Sequence, residues 1–207
     1  MNLHRGIVRL PVLVILLLGI FAAAKEQTFN FKDPKGVNSI GIFLDSKLEP
    51  IRGYARGISG TVTFDLEKPT VIKGEIEVSA KSIEMTNPLM TRTLHGSEWI
   101  DVDKFPTVKA IFTKLISAER VSDTLYKMKV EGTFTLKGVT KNIAIPIEVS
   151  YFKGARKARG ARGKGDLIVV RTRFSINRVD FGIKPELSDL KVARMIQFDI
   201  AIVGYSK

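Results

Sequence analysis

Apolar and polar side chains alternate along most of this chain. Tyr126, Met128, Val130, Gly132, Phe134 and Leu136 fall on one side, and Lys127, Lys129, Glu131, Thr133, Thr135 and Lys137 on the other. A strand points successive side chains to opposite faces, so this spacing predicts a β-strand with one dry and one wet face. Lys137-Gly138 predicts a turn. After it Ile143, Ile145, Ile147, Val149 and Tyr151 alternate with Ala144, Pro146, Glu148 and Ser150. Pro146 has no N–H to give to a ladder, which marks an edge or an irregularity in this second strand.

The same reading extends to both ends of the chain. Ile40, Ile42 and Leu44 share a face, as do Ile58, Gly60, Val62 and Phe64, and Ile72, Gly74, Ile76 and Val78. Val108, Ala110 and Phe112 form a further strand. Ile168, Val170, Thr172, Phe174 and Ile176 form another, and Ile196, Phe198, Ile200 and Ile202 the last. With a short first strand at Thr28 to Phe31, the pattern predicts roughly eight or nine strands. Short turns between sequential strands favour an antiparallel meander. Closing that meander into a barrel buries every dry face and leaves no edge unpaired. One helix is expected. Asn87 suits its N-cap and Pro88 its first position. Leu89, Met90, Thr93 and Leu94 share a face, and Gly96 suits a left-handed cap. The helix face should sit against the barrel near a mouth, with Trp99 lining or plugging it.

The chain has 207 residues and no cysteine, so it must hold together by its hydrophobic core, without disulfides. Residues 1–24 read as an export signal. His4, Arg5 and Arg9 precede an apolar stretch from Leu10 to Phe21, and Ala22-Ala23-Ala24 supplies a cleavage site before Lys25. The rival reading, an uncleaved anchor, needs about 20 apolar residues, more than this stretch has. The expected organisation is a signal peptide at 1–24 and one domain at 25–207, exported to the periplasm or secreted.

The net charge of +12 speaks to partners rather than to fold. Its densest source is the segment from Lys153 to Lys164. There Lys153, Arg156, Lys157, Arg159, Arg162 and Lys164 stand among glycines with no acid. Such a segment reads as a mobile loop, and as a candidate contact for anionic headgroups or a membrane surface. Export argues against nucleic acid as the partner.

Candidate chemistry is sparse. His95 is the one histidine after the signal segment, so a histidine-rich metal site is excluded. There is no G-x-S-x-G elbow and no phosphate-binding glycine loop. No cofactor and no enzyme activity are expected. His95, Arg178 and Asp180 are the only groups worth testing for catalysis, and Arg178 and Asp180 read better as a turn contact fixing the segment before the last strand.

Four segments resemble a known family. Ser46 to Gly53 followed by Ile58 to Asp65 looks like its early strand pair. Thr93-Leu94-His95-Gly96-Ser97-Glu98-Trp99-Ile100-Asp101 with Lys104-Phe105-Pro106 looks like its "H-L-x-S-x-x-F-F-D" run. Glu131 to Lys141 matches its "G-x-L-T-x-x-G-V-T-K" hairpin, and Asn177 to Gly182 its "R-x-D-F-G". On these residues the chain resembles the YceI-like family of bacterial lipid- and polyisoprenoid-binding proteins. It departs from the family at Asn38-Ser39 and at Thr91 to Thr93. The resemblance implies an all-β, eight-stranded, antiparallel, lipocalin-like barrel holding a long isoprenoid or fatty-acyl lipid. The candidate lining is then Ile40, Ile42, Val62, Phe64, Ile76, Val78, Met90, Leu94, Trp99, Phe112, Met128, Phe134 and Phe181. Barrels of this size also occur packed solid. The alternative is therefore a structural or stress-related interaction protein with a side-chain-filled barrel, and alternation alone does not choose between them. Sequence leaves the oligomeric state open.

Overall fold

A computed structural model describes residues 26–65, 72–160 and 163–206. The expected signal segment and Arg162 lie outside the described residues. The described residues form one antiparallel sheet of 11 strand segments that closes on itself. β1 (Gln27–Asn30) and β2 (Ser39–Leu44) both pair with β11 (Met195–Tyr205), the first at Tyr205 and the second from Gln197 to Ala201. They are therefore two halves of one stave, interrupted over residues 31–38. β3 (Ile51–Ala55) with β4 (Ile58–Phe64), and β5 (Ile72–Ser79) with β6 (Ile83–Met85), form two more interrupted staves. β7 (Thr107–Arg120), β8 (Leu125–Leu136), β9 (Val139–Phe152), β10 (Leu167–Asn177) and β11 complete an eight-stranded closed barrel.

Local chemistry explains how the sheet coils and turns. Lys137 and Gly138 have φ of 49° and 74°, the left-handed pair of a two-residue hairpin between β8 and β9. At Gly60 φ is 126°, and a Cβ there would lie 2.1 Å from the Glu75 carbonyl oxygen, so only glycine lets β4 bend this closely onto β5. The alternation of β8 is realised as read: Tyr126, Met128, Val130, Phe134 and Leu136 are buried. β7 runs further than its pattern suggested. Register shifts at Phe112/Lys114 and Leu115/Ser117 break the period of two, so alternation is lost although the strand continues. The irregularity expected at Pro146 is present. The β9–β10 ladder stops at Glu148–Arg171, Thr172 Oγ1 donates to the Pro146 carbonyl at 2.6 Å, and the strands then part.

In an up-and-down barrel the connections alternate between two ends. Residues 45–50, 86–106, 137–138 and 178–194 gather at one end. The β7–β8 and β9–β10 connections lie at the other. Helix α1 (Pro88–His95) belongs to the first group, where β6 has left the β7 ladder. Asn87 Oδ1 accepts from Leu89 N–H at 2.8 Å and Pro88 opens the helix, as expected. Gly96 differs from expectation: its φ is −66°, not left-handed. The chain leaves the helix through tight turns instead, with Trp99 N–H on the Gly96 carbonyl and Val102 N–H on that of His95. These turns bury Ile100 and Val102 in the barrel wall, so no sharp reversal at Gly96 is needed.

Candidate ligand cavity

The inward faces enclose two joined spaces. The inner one, about 110 Å³, is bounded by Val62, Phe64, Ile76, Phe112, Met128 and neighbouring aliphatic side chains of β9 and β10. Its one charged neighbour, Lys109, turns its ammonium to Glu77 at 2.5 Å and Glu75 at 3.4 Å. The mouth chamber is larger, about 630 Å³, and is lined by Ile42, Leu44, Met85, Met90, Leu94, Trp99 and Phe198 among others. Ile40, Val78, Val108, Phe134, Phe174 and Ile200 border both. Phe134 and Phe174 stand edge-to-face, 6.2 Å apart, and Phe174 lies 5.2 Å from Phe198. This aromatic group makes a waist between the chambers. The barrel is thus neither packed solid nor uniformly hollow: it is narrow inside and wide at the helix end.

All the candidate lining residues border these spaces except Phe181. Phe181 is 3% exposed and packs edge-to-face on Phe134 from behind, 5.8 Å between centroids. It sits on the 3-10 turn Arg178–Phe181, where the strand period that assigned inward faces does not apply. Lining residues not singled out from sequence include Leu136, Val108, Ile196 and Phe198, all on the inward parity of strands whose pattern was visible.

The mouth holds the polar groups. Glu49, Thr93, Lys184 and Lys191 border the chamber, with Arg178 behind them. Arg178 is completely buried. Its Nε donates to Ala193 O, its Nη1 to Ile183 O at 2.8 Å and to Lys184 O, and its Nη2 to Leu187 O at 3.1 Å and Val192 O at 3.0 Å. One guanidinium thus gathers the carbonyls of the whole 183–193 segment, while Asp180 is exposed. Burial pulls the guanidinium's pKa down and Asp189, 3.9 Å away, pushes it back up. Of the contacts sequence allowed for Arg178, the turn hydrogen bonds are the ones made. Lys184 is held by Glu98 and by Glu186, and the hydrogen bond that its ammonium donates to Glu98 raises its pKa. Lys137 Nζ donates to the carbonyls of Glu98 and Gly182, both at 3.2 Å, joining three of the mouth connections. His95 Nε2 meets Ile83 O at 2.8 Å and fixes α1 to β6.

Among the described residues, the opposite end is closed. Phe29, Phe31, Ile168 and Val149 are at most 2% exposed there. Asp166 clasps the strand ends: it accepts from Gly154 N–H at 2.7 Å, Tyr151 Oη–H at 2.8 Å and Gln27 Nε2–H at 2.7 Å. The basic segment lies at this end, so the structure does not bring it to the mouth. It is also tied down, where sequence suggested a free excursion. Arg156 lies over the Tyr205 ring at 4.7 Å and donates to Ser206 O. Arg159 grips Asp33 through two bonds of 2.6 and 3.0 Å. Lys153, Lys157 and Lys164 remain exposed.

Burial alone would raise the pKa of Asp33. Arg159 and the N–H groups of Val37 and Lys35 outweigh it and bring the carboxyl from 3.8 to about 2. The folded value lies below the unfolded one, so this stabilisation is complete above about pH 4 and is lost as pH falls towards 2. Asp33→Asn is expected to cost on the order of 2 kcal/mol at neutral pH. The gap between parent and variant should close on acidification, as urea melts across a pH series would measure. A gap unchanged at the acid end contradicts the assignment.

A model of the YceI-like domain matches residues 26–204. The chain belongs to the YceI-like family. Its curated relatives include a UPF0312 protein of Shewanella oneidensis, 26% identical over 155 residues that cover 75% of this chain and 74% of the relative. Protein YceI of Salmonella arizonae is 30% identical over 93 residues, 45% and 46% of the two chains. Among solved structures, BcnA of Burkholderia cenocepacia superposes with a TM-score of 0.65 at 18% identity, covering 80% of this chain and 95% of its own. A polyisoprenoid binding domain from Saccharophagus degradans gives 0.61 at 9% identity, covering 88% and 100%. At these identities the two structures share the fold with this chain. Within the YceI-like barrel, Asn38 and Thr91 of this chain are structural pins. Asn38 is buried, donates to Phe31 O and Val203 O at 3.0 Å, and accepts from Val203 N–H at 2.8 Å, so its amide replaces the ladder where β1 gives way to β2. Thr91 Oγ1 accepts from Met85 N–H at 2.9 Å and sets the turn into α1.

Proposed function

We propose that this protein carries or sequesters a long apolar lipid, a polyisoprenoid or a fatty-acyl chain, with the tail in the barrel and the polar end at the mouth. The observation that carries this reading is the pair of adjoining apolar spaces, about 630 and 110 Å³, the larger of them bordered at the helix end by Glu49, Thr93, Lys184 and Lys191. Ligand pockets are typically of this size and lining, apolar with a few convergent polar groups. Membership of the YceI-like family supports it, as does the fold shared with a polyisoprenoid binding domain. Burying about ten methylene groups is worth roughly 8 kcal/mol gross, which needs no catalytic residue. The reading assigns no enzyme activity: His95 and Arg178 are occupied by backbone carbonyls. It places the protein outside the cytoplasm, on the strength of the signal-like residues 1–24.

Native mass spectrometry of the protein purified from intact cells tests all of this together. The expected spectrum has a mature chain beginning at Lys25 with an added mass that organic solvent releases as an apolar lipid. Protein that is always empty and takes up neither a polyprenol nor a fatty acid would overturn the carrier reading.

A further inference from the structure

Leu48, Leu89 and Leu190 are 70%, 62% and 49% exposed, although each is a large apolar side chain. They stand on three separate connections: residues 45–50, helix α1 and residues 178–194. The first and third are joined by Leu48 N–H donating to Leu190 O at 2.9 Å. Leu89 borders the mouth chamber, and so do Glu49 and Lys191, the chain neighbours of Leu48 and Leu190. The three leucines therefore surround its opening. Each has an exposed cation close by: Lys47 before Leu48, Lys191 after Leu190, and Arg92 one helical turn beyond Leu89. The acids of the rim are exposed as well: Glu98 and Glu186 pair with Lys184, Asp189 with Arg194 and Asp103 with Lys81, while Asp45 and Glu49 flank Leu48 and Asp180 stands on the third connection.

We propose that this rim is a docking surface for an anionic phospholipid bilayer. Leu48, Leu89 and Leu190 enter the interfacial layer, while Lys47, Arg92 and Lys191 lie along it and reach the phosphates. Two arguments select a bilayer over other occupants. Apolar tips flanked by cations complement an interface that is apolar below and negative above. The rim is also continuous with the mouth chamber, so docking puts the mouth where an apolar lipid is dissolved. The second argument rests on the carrier reading; the first does not. The opposite end offers the rival surface, since Val37 and Phe152 are exposed there near Lys35 and Lys153, but the mouth chamber lies away from it.

The test is flotation of the mature protein with mixed phosphatidylcholine–phosphatidylglycerol vesicles, with uptake of a detergent-dispersed polyprenol measured in parallel. The variant Leu48→Ser/Leu89→Ser/Leu190→Ser should partition onto vesicles at least about a hundredfold more weakly, with its thermal unfolding unchanged. Leu89→Trp should bind more tightly, because indole favours the interface. Lys153→Glu/Lys157→Glu/Lys164→Glu should bind as the parent does. Serine variants that float like the parent overturn the proposal, and so does release by the closed-end variant alone. A concentration-dependent dimer abolished by the serines also overturns it, assigning the leucines to contacts between copies. Uptake without vesicle binding removes docking and leaves the carrier; vesicle binding without uptake does the reverse.

Discussion

Arg178→Leu is expected to lose about 3–5 kcal/mol of folding stability and to loosen the mouth while the rest of the barrel persists. The side chain is completely buried and supplies donors to the carbonyls of Ala193, Ile183, Lys184, Leu187 and Val192. Leucine fills a similar volume but offers no donor, and each buried carbonyl left unpaired costs about 1–3 kcal/mol before water enters. Water entry limits the sum, because the segment lies at an open end. In a chain of this length the loss lowers the melting temperature by on the order of 10 °C. Guanidinium denaturation and hydrogen exchange together make the check. Amides over 183–193 should exchange far faster in the variant, and those of β8 should keep their protection relative to global unfolding. Arg178→Lys should recover part of the stability only, since one ammonium has three donors and cannot span the same carbonyls. A loss below about 1 kcal/mol with unchanged exchange would mean that the segment holds itself without the guanidinium.

Arg178 also marks the boundary of what was legible in the sequence. The strands were, because alternation is the direct signature of a sheet with one buried face: β8 and β10 appear in the chain as they appear in the barrel. The helix start was legible too, since Asn87 and Pro88 act locally. The role of Arg178 was only half legible. A charged residue beside Asp180 suggests an ion pair, and only the path of a segment ending fifteen residues later reveals that its partners are carbonyls. The interruptions that split three staves were hidden, because β1 and β2 are collinear through pairing with β11, at the far end of the chain. The hidden interruptions had a consequence for the site. Once eight staves are counted, connection order alone puts the Lys153–Lys164 segment at the end opposite α1. On the proposed carrier function, a headgroup contact at the mouth would fall to Lys184, Lys191 and Glu49, which border the chamber there. Those residues gave no signal of their own, being ordinary charges in a loop.

The largest effect on binding is expected at the waist. Each added methylene that finds apolar surroundings is worth about 0.8 kcal/mol, roughly fourfold in affinity. Across a series of straight-chain lipids with one headgroup, affinity should climb at that rate while the tail fills the mouth chamber, then flatten once its tip meets Phe134 and Phe174. Beyond them lies only the narrow inner space of about 110 Å³. Val108 borders both chambers, so Val108→Trp should plug the passage and bring the break to shorter chains. Tails longer than that break should lose on the order of 3 kcal/mol, about a hundredfold. Phe174→Ala should do the opposite and let the climb continue to longer chains, because removing the ring merges the two spaces. Titration calorimetry or displacement of a fluorescent fatty acid measures the break in each protein. A break at one length in the parent and both variants would show that the Phe134–Phe174 pair moves aside, and that tail length is limited elsewhere. The direction of the two shifts matters more than their size. Overpacking at Val108 and the cavity left at Phe174 each destabilise the fold by a few kcal/mol, but a loss of stability alone lowers all affinities together and leaves the break where it was.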